Sequence, residues 1–284
     1  MQIEELIRKT HSLASMPEVY YRAKEMLEDP DHDLQTLAEV LESDAGLTTR
    51  LLRLVNSPLY GLPRRVDRVS YAVQLLGNNT IRDLLTATMV VRFFARIATQ
   101  LVDMSSFWHH CVYSGLVARQ LGQRCRVLHD ERMFVAGLLH DVGQLVLFQF
   151  QPVASALALS LAEPRDDGLY RAELTAHGYT HAEVGAELLK LWRLPNGLEE
   201  CVRYHHAPEL AGQYALETSI VHIANSFANR IEPARNIVHC QQVISPFAWE
   251  TTGLTEENLE NALSEANVRF LDTMEMLAPD RVLM

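Results

Sequence analysis

Apolar residues recur along most of this chain at intervals of three and four, the spacing that lines one side of an α-helix. Leu34, Leu37, Ala38 and Leu41 form one such face, and Leu47, Leu51, Leu52, Leu54 and Val55 lead into the stop Asn56-Ser57-Pro58-Leu59-Tyr60-Gly61-Leu62-Pro63. Proline and glycine end the helix there. Pro17 stands where a first helical turn tolerates proline, Asp33 is placed to cap the helix that follows it, and Ser43-Asp44-Ala45-Gly46 interrupts the pattern. Residues 1 to about 95 therefore read as a string of short helices. Far downstream, Leu254-Thr255-Glu256-Glu257-Asn258-Leu259 reads as another capped start.

Composition narrows the class. The chain has 284 residues, enough for one large domain or two modest ones, and is 48% hydrophobic with no low-complexity tract. Its net charge of −11 disfavours direct nucleic-acid binding, which is driven by neutralising phosphates. The basic clusters around Arg50 and Arg53 and around Arg64, Arg65 and Arg68 read as solvated faces or partners of the surplus acids. No apolar run suggests a bilayer span, and Glu4 and Glu5 stand where a secretory signal would be basic and then apolar, so the expectation is a cytoplasmic protein without a membrane. Cys111, Cys125, Cys201 and Cys240 lack paired metal spacing and are expected as reduced thiols. The Asp29 to Asp33 loop lacks the ligand alternation and terminal glutamate of a calcium loop.

The chemistry lies in the middle of the chain. His140-Asp141 stands inside Ala136-Gly137-Leu138-Leu139-His140-Asp141-Val142-Gly143-Gln144-Leu145-Val146, a run otherwise apolar enough to be buried. Buried polar pairs require compensation, and an imidazole beside a carboxylate suits a divalent first-row metal. Taken alone, the pair also fits a helix cap or a hydrogen-bonded core pair. Further histidines follow the same helical context: His109 and His110 after Phe107-Trp108, His181 with Gly185 four residues later, and His205-His206 before Ala207-Pro208. A bundle can bring such helices together.

In that order, these histidines resemble the metal scaffold of the HD superfamily of phosphohydrolases. The resemblance becomes specific in the first third. Leu13-Ala14-Ser15-Met16-Pro17-Glu18-Val19, Leu37 to Asp44, Leu51 to Gly61 and Ala72-Val73-Gln74-Leu75-Leu76-Gly77 resemble the signature of the HDOD family, the HD-related output domains of bacterial signalling. The resemblance covers residues 5–230 and implies an all-α, multi-helix HD-like bundle. It divides into an N-terminal helical lobe at about 5–95 and a metal-scaffold lobe at about 96–230, with 231–284 as a helical extension. It carries metal-ligand positions onto His110, His140, Asp141, His181, His205 and His206, with His140 and Asp141 the candidates for any catalytic role. The implied cofactor is iron, manganese, zinc or nickel, as one or two ions, and the site is open to being vestigial.

Three departures from active relatives bear on turnover. Asn225 stands where they carry an aspartate, Gln144 where a lysine often follows the His-Asp-x-Gly unit, and Ser106 where some carry a glutamate. Two-metal hydrolysis needs both ions, so these changes favour a signalling adaptor with a retained histidine cluster, its partner surface on the N-terminal lobe and a signalling protein as its partner. The alternative is a metal-dependent phosphohydrolase acting on a nucleotide or phosphoester, which would make that nucleotide or phosphate a ligand; a third reading leaves the histidines as satisfied core residues without metal. His32, His129, His177, His222 and His239 are expected in capping, surface or core roles, Cys111 as a small apolar filler, and Trp108, Trp192 and Trp249 as core anchors.

Overall fold

A computed structural model describes residues 2–13, 16–29, 31–94, 99–165, 167–231 and 243–277. Among them the chain is all-α, with no β-strand element. It divides into two compact units, one formed by Met1–Leu13 with Ile97–Ala266 and the other by Ala14–Arg96 with Asn267–Met284. His239 and Cys240 lie outside the described residues. The first helix, α1 (Ile3–Leu13), belongs to the larger unit.

The smaller unit holds α2 (Glu18–Glu28), α3 (Leu34–Glu42), α4 (Ala45–Val55) and α5 (Val69–Phe94). Its helix starts follow the local chemistry expected of them. Asp33 accepts a hydrogen bond from the Thr36 amide at 2.8 Å, and Asp44 from the Leu47 amide at 3.0 Å, each quenching an orphan donor of the first turn. Asp44 also takes the Arg92 guanidinium at 2.5 Å, which ties the start of α4 to the end of α5. On α3, Leu37, Ala38 and Leu41 are buried as the spacing requires, with Val40 in addition, and Leu34 is half-buried. Gly77 breaks the backbone of α5 at φ 79°, a conformation that a side chain would strain.

The Asn-Ser-Pro stop after α4 has a structural purpose. The Asn56 amide donates to the Leu52 and Val66 carbonyls and its oxygen accepts from the Val66 amide, each at 2.7 Å. One side chain thus closes the ten-residue loop onto the helix end as a neighbouring strand would. Asn56→Ala leaves three backbone groups without these partners and is expected to cost about 1–3 kcal/mol, read as a lower urea midpoint with an unchanged slope.

The larger unit contains α6 (Met104–Arg124), α7 (Glu131–Leu139), α8 (Val142–Phe150), α9 (Pro152–Leu161), α10 (Gly168–Ala176), α11 (His181–Leu191), α12 (Asn196–Tyr204), α13 (Ala215–Ile231) and α14 (Pro246–Thr252). A final helix, α15 (Glu256–Leu277), begins in this unit and ends in the other, and Thr255 and Asn258 cap its start reciprocally at 3.0 and 3.3 Å. Trp108 and Trp192 are fully buried anchors, whereas Trp249 is half-buried. The run Glu131–Phe150 has the length and apolarity of a membrane span, but most of it is buried and His140-Asp141 divides it into α7 and α8, so it is a core segment.

Two glycine contacts set the helix spacing. Cβ atoms added at Gly137 on α7 would meet the Gly115 Cα of α6 at 2.7 Å, and one added at Gly143 on α8 would overlap the His181 carbonyl oxygen and lie 2.7 Å from the Gly185 amide nitrogen of α11. Backbones this close have no room for a methyl group. The first contact brings together the helices bearing His110 and His140, and the second joins the Asp141 helix to the His181 helix.

Candidate metal centre

His140 ends α7 and Asp141 precedes α8, so the pair occupies a break between two buried helices. Asp141 stands at the N-cap position yet makes no capping bond. Its carboxylate turns to the histidines instead. Oδ1 lies 3.1 Å from His181 Nε2 and 3.7 Å from His205 Nε2, and Oδ2 lies 3.5 Å from His140 Nε2 and 3.7 Å from His110 Nε2. All six positions named from the sequence therefore meet, in two groups: His110, His140 and Asp141, and His181, His205 and His206, each with ligand atoms within 4.8 Å of one another. His205 and His206 both reach the centre because α12 ends at Tyr204.

The hydrogen bonds determine which ring nitrogens face inward. His140 Nδ1 donates to the Gly137 carbonyl and His205 Nδ1 to the Val202 carbonyl, each at 2.7 Å, so in the neutral ring Nε2 carries the lone pair. His181 Nδ1 donates to Glu173 Oε2 at 2.7 Å. The Nε2 atoms of His181 and His205 lie 3.3 Å apart, a separation that a proton on one ring or a metal cation between the two satisfies. His110 and His140 present Nε2 atoms 3.2 Å apart. These separations match two nitrogens sharing one ion at bonds of about 2.0–2.1 Å. The donor set fits a divalent metal.

Protonation follows the same charges. Burial pulls the His181 pKa down, but the Glu173 and Asp141 carboxylates on either side outweigh it and hold it at about 10. Burial and the neighbouring imidazoles push His205 and His206 well below the ordinary histidine range. A proton on His181 thus occupies the place that a metal cation would take.

Glu173 on α10 was not singled out in the sequence, and it is the principal addition. It is 1% exposed and accepts from both the His181 backbone amide and the His181 ring, each at 2.7 Å. Three residues earlier on the same helix, the Tyr170 ring lies over His206 with centroids 4.6 Å apart. The one local signal was that Tyr170 and Glu173 share a helix face just before the Gly178 turn. His222, expected in a capping, surface or core role, is buried: it donates to the His205 carbonyl at 2.6 Å and accepts from the Ser245 amide at 3.0 Å, which secures the end of α12.

The remaining sequence candidates fall elsewhere. Ser106 is spent on the start of α6, where its amide and hydroxyl both donate to Asp103 at 2.8 Å. His177 pairs with Gln151 at 2.9 Å and His32 with the Asp29 carbonyl at 2.7 Å. His129 occupies a left-handed loop position. Asn225 is buried on α13 and accepts from Asn229 at 3.3 Å, and Gln144 is buried on α8. Cys111 is buried and outside any disulfide, as expected of an apolar filler.

An all-helical body whose separate helices deliver five histidines around one aspartate defines a protein of the HD superfamily type. The sequence profile of the HDOD domain matches residues 13–208, and the chain belongs to the HDOD family, the HD-related domains of bacterial signalling. An HDOD domain protein of unknown function from Geobacter sulfurreducens shares 25% identity, with 96% of this chain and 97% of that one covered at a TM-score of 0.69. A Shewanella amazonensis SB2B protein with a provisional phosphohydrolase name has the same fold at 23% identity, coverage of 96% and 98%, and a TM-score of 0.73. An uncharacterized Treponema pallidum protein is 25% identical over 218 residues; the match takes in 75% of this chain but only 41% of that longer protein.

Proposed function

We propose that this HDOD protein is a signalling output module whose histidine cluster holds a divalent first-row transition metal, iron, manganese, zinc or nickel, as a structural and regulatory element, and whose state is read by a partner signalling protein. His110, His140, Asp141, His181, His205 and His206 are the ligands in this reading. The supporting observation is closure: His110, His140, Asp141, His181 and His205 are 3%, 0%, 3%, 1% and 0% exposed, and the half-buried His206 lies under Tyr170. A hydrolytic metal needs a coordination position open to water and substrate, whereas closed sites are structural. The neutral amide of Asn225 and the uncharged Gln144 also leave out an anionic ligand and a phosphate-pairing cation.

One observation favours a second reading, a metal-dependent phosphohydrolase acting on a nucleotide or phosphoester: Asp141 turns one oxygen to each histidine group, the arrangement that lets a carboxylate serve two ions. When bound, such ions would polarise a phosphoryl oxygen and activate water. Elemental analysis of protein purified without chelator, followed by incubation with cyclic dinucleotides, nucleotides and phosphomonoesters, separates the readings. Bound metal without turnover is the expected result. Turnover that His140→Ala abolishes would establish the hydrolase instead, and metal-free protein would refute both.

A further inference from the structure

The two halves of the cluster are not equivalent in charge. On one side His181 is gripped twice by Glu173, a carboxylate buried to 1% whose other oxygen, Oε1, is buried without a hydrogen-bond partner. A buried anion that is incompletely bonded costs several kcal/mol unless positive charge stands close by. The His181 ring relays that charge to its Nε2, because a carboxylate bonded to the far nitrogen makes an imidazole a more basic ligand and locks its orientation. On the other side the His140 Nδ1 donates to the neutral Gly137 carbonyl. Asp141 divides its two oxygens between the sides and so does not discriminate them.

We infer that Glu173 is a positioning residue that makes His181, His205 and His206 the tighter of two cation positions, so that ions enter in a fixed order and the His110–His140 position fills last. The inference rests on the reading that the cluster holds metal, and it assigns the difference between the positions to one side chain outside the ligand set. Tyr170 acts from the same helix: its ring against His206 excludes water on the side where that ligand is otherwise accessible. Ion occupancy of the first position is thereby coupled to the seating of α10, which carries both groups.

Calorimetric titration of the metal-stripped full-length protein with Mn2+ tests the order. The wild type is expected to give two phases, the first about 10- to 100-fold tighter than the second. Glu173→Gln keeps the shape but removes the charge, and should weaken the first phase by that factor while leaving the second in place. His140→Ala should delete the second phase and spare the first. His206→Ala, at the accessible edge, should delete the first phase, which guards against a fold defect in the Glu173 variant. Equal weakening of both phases by Glu173→Gln, an unchanged first phase, or loss of the first phase in His140→Ala would overturn the inference while leaving metal binding intact. A wild-type isotherm with no heat of binding would overturn the inference together with the reading beneath it.

Discussion

Asp141→Ala is expected to abolish ion binding at both positions at once, the largest effect of any single ligand change. Every other ligand serves one group of histidines, whereas the Asp141 carboxylate faces both, with its two oxygens 3.1 Å from His181 and 3.5 Å from His140. The consequence is measurable as linkage. An ion at 100 times its dissociation constant stabilises the folded state by about 2.7 kcal/mol. At about 2–4 °C per kcal/mol for a body of this size, the wild-type melting midpoint should rise by about 5–11 °C with saturating Mn2+. Asp141→Ala should show no rise at all, and elemental analysis of the purified variant should find no stoichiometric metal. A thermal shift that survives in this variant would mean that ions bind elsewhere.

Gly143→Ala should be nearly as damaging although Gly143 touches no ion. Its methyl group would occupy the space of the His181 carbonyl oxygen and crowd the Gly185 amide at 2.7 Å, and both obstacles are backbone. Backbone cannot swing aside as a flexible side chain does, so α8 and α11 must separate. The expected cost is about 2–4 kcal/mol, in the upper range for overpacking. Because Asp141 leads directly into α8 and His181 begins α11, the same separation pulls the carboxylate from its imidazole, and ion affinity should fall by about 10-fold or more. Gly212→Ala is the control: an added Cβ there meets only the Glu200 carboxylate at 3.9 Å, and its effect should stay within about 0.5 kcal/mol. Urea denaturation and metal titration of both variants decide the matter.

These two residues also mark the boundary of what could be read from the chain. The helices were legible because their signals are local: Asp33 and Thr255 cap the turns that follow them, and Leu37, Ala38 and Leu41 line one face within two turns. The glycine of the His-Asp-x-Gly unit and the glycine four residues after His181 were visible as motif positions. Their reason was not, since Gly143 and Gly185 explain each other only when α8 lies on α11. Gly115, which carries the matching contact with Gly137, belongs to no sequence motif.

Glu173 escaped for a related reason. Arg171-Ala172-Glu173-Leu174 reads as ordinary helix surface, and the feature that changes its meaning is burial against a histidine eight residues later, across the turn at Gly178. Asp141 was recognised as a ligand position, but an aspartate in front of a helix is equally suited to capping it. Only the direction of the carboxylate, away from the α8 amides and toward four imidazoles, distinguishes the two.

The amino-acid sequence by itself determined the helical segments and displayed the histidines and the aspartate that the family resemblance marks as candidate ligands, because periodicity, caps and residue identity are properties of short stretches. The tertiary structure alone decided that these side chains meet in two groups around one carboxylate, that Glu173 grips one of the imidazoles, and that all of them but the half-buried His206 are buried. Those facts depend on backbone approach between helices far apart in the chain, and such approach is set by packing, on which local sequence pattern is silent.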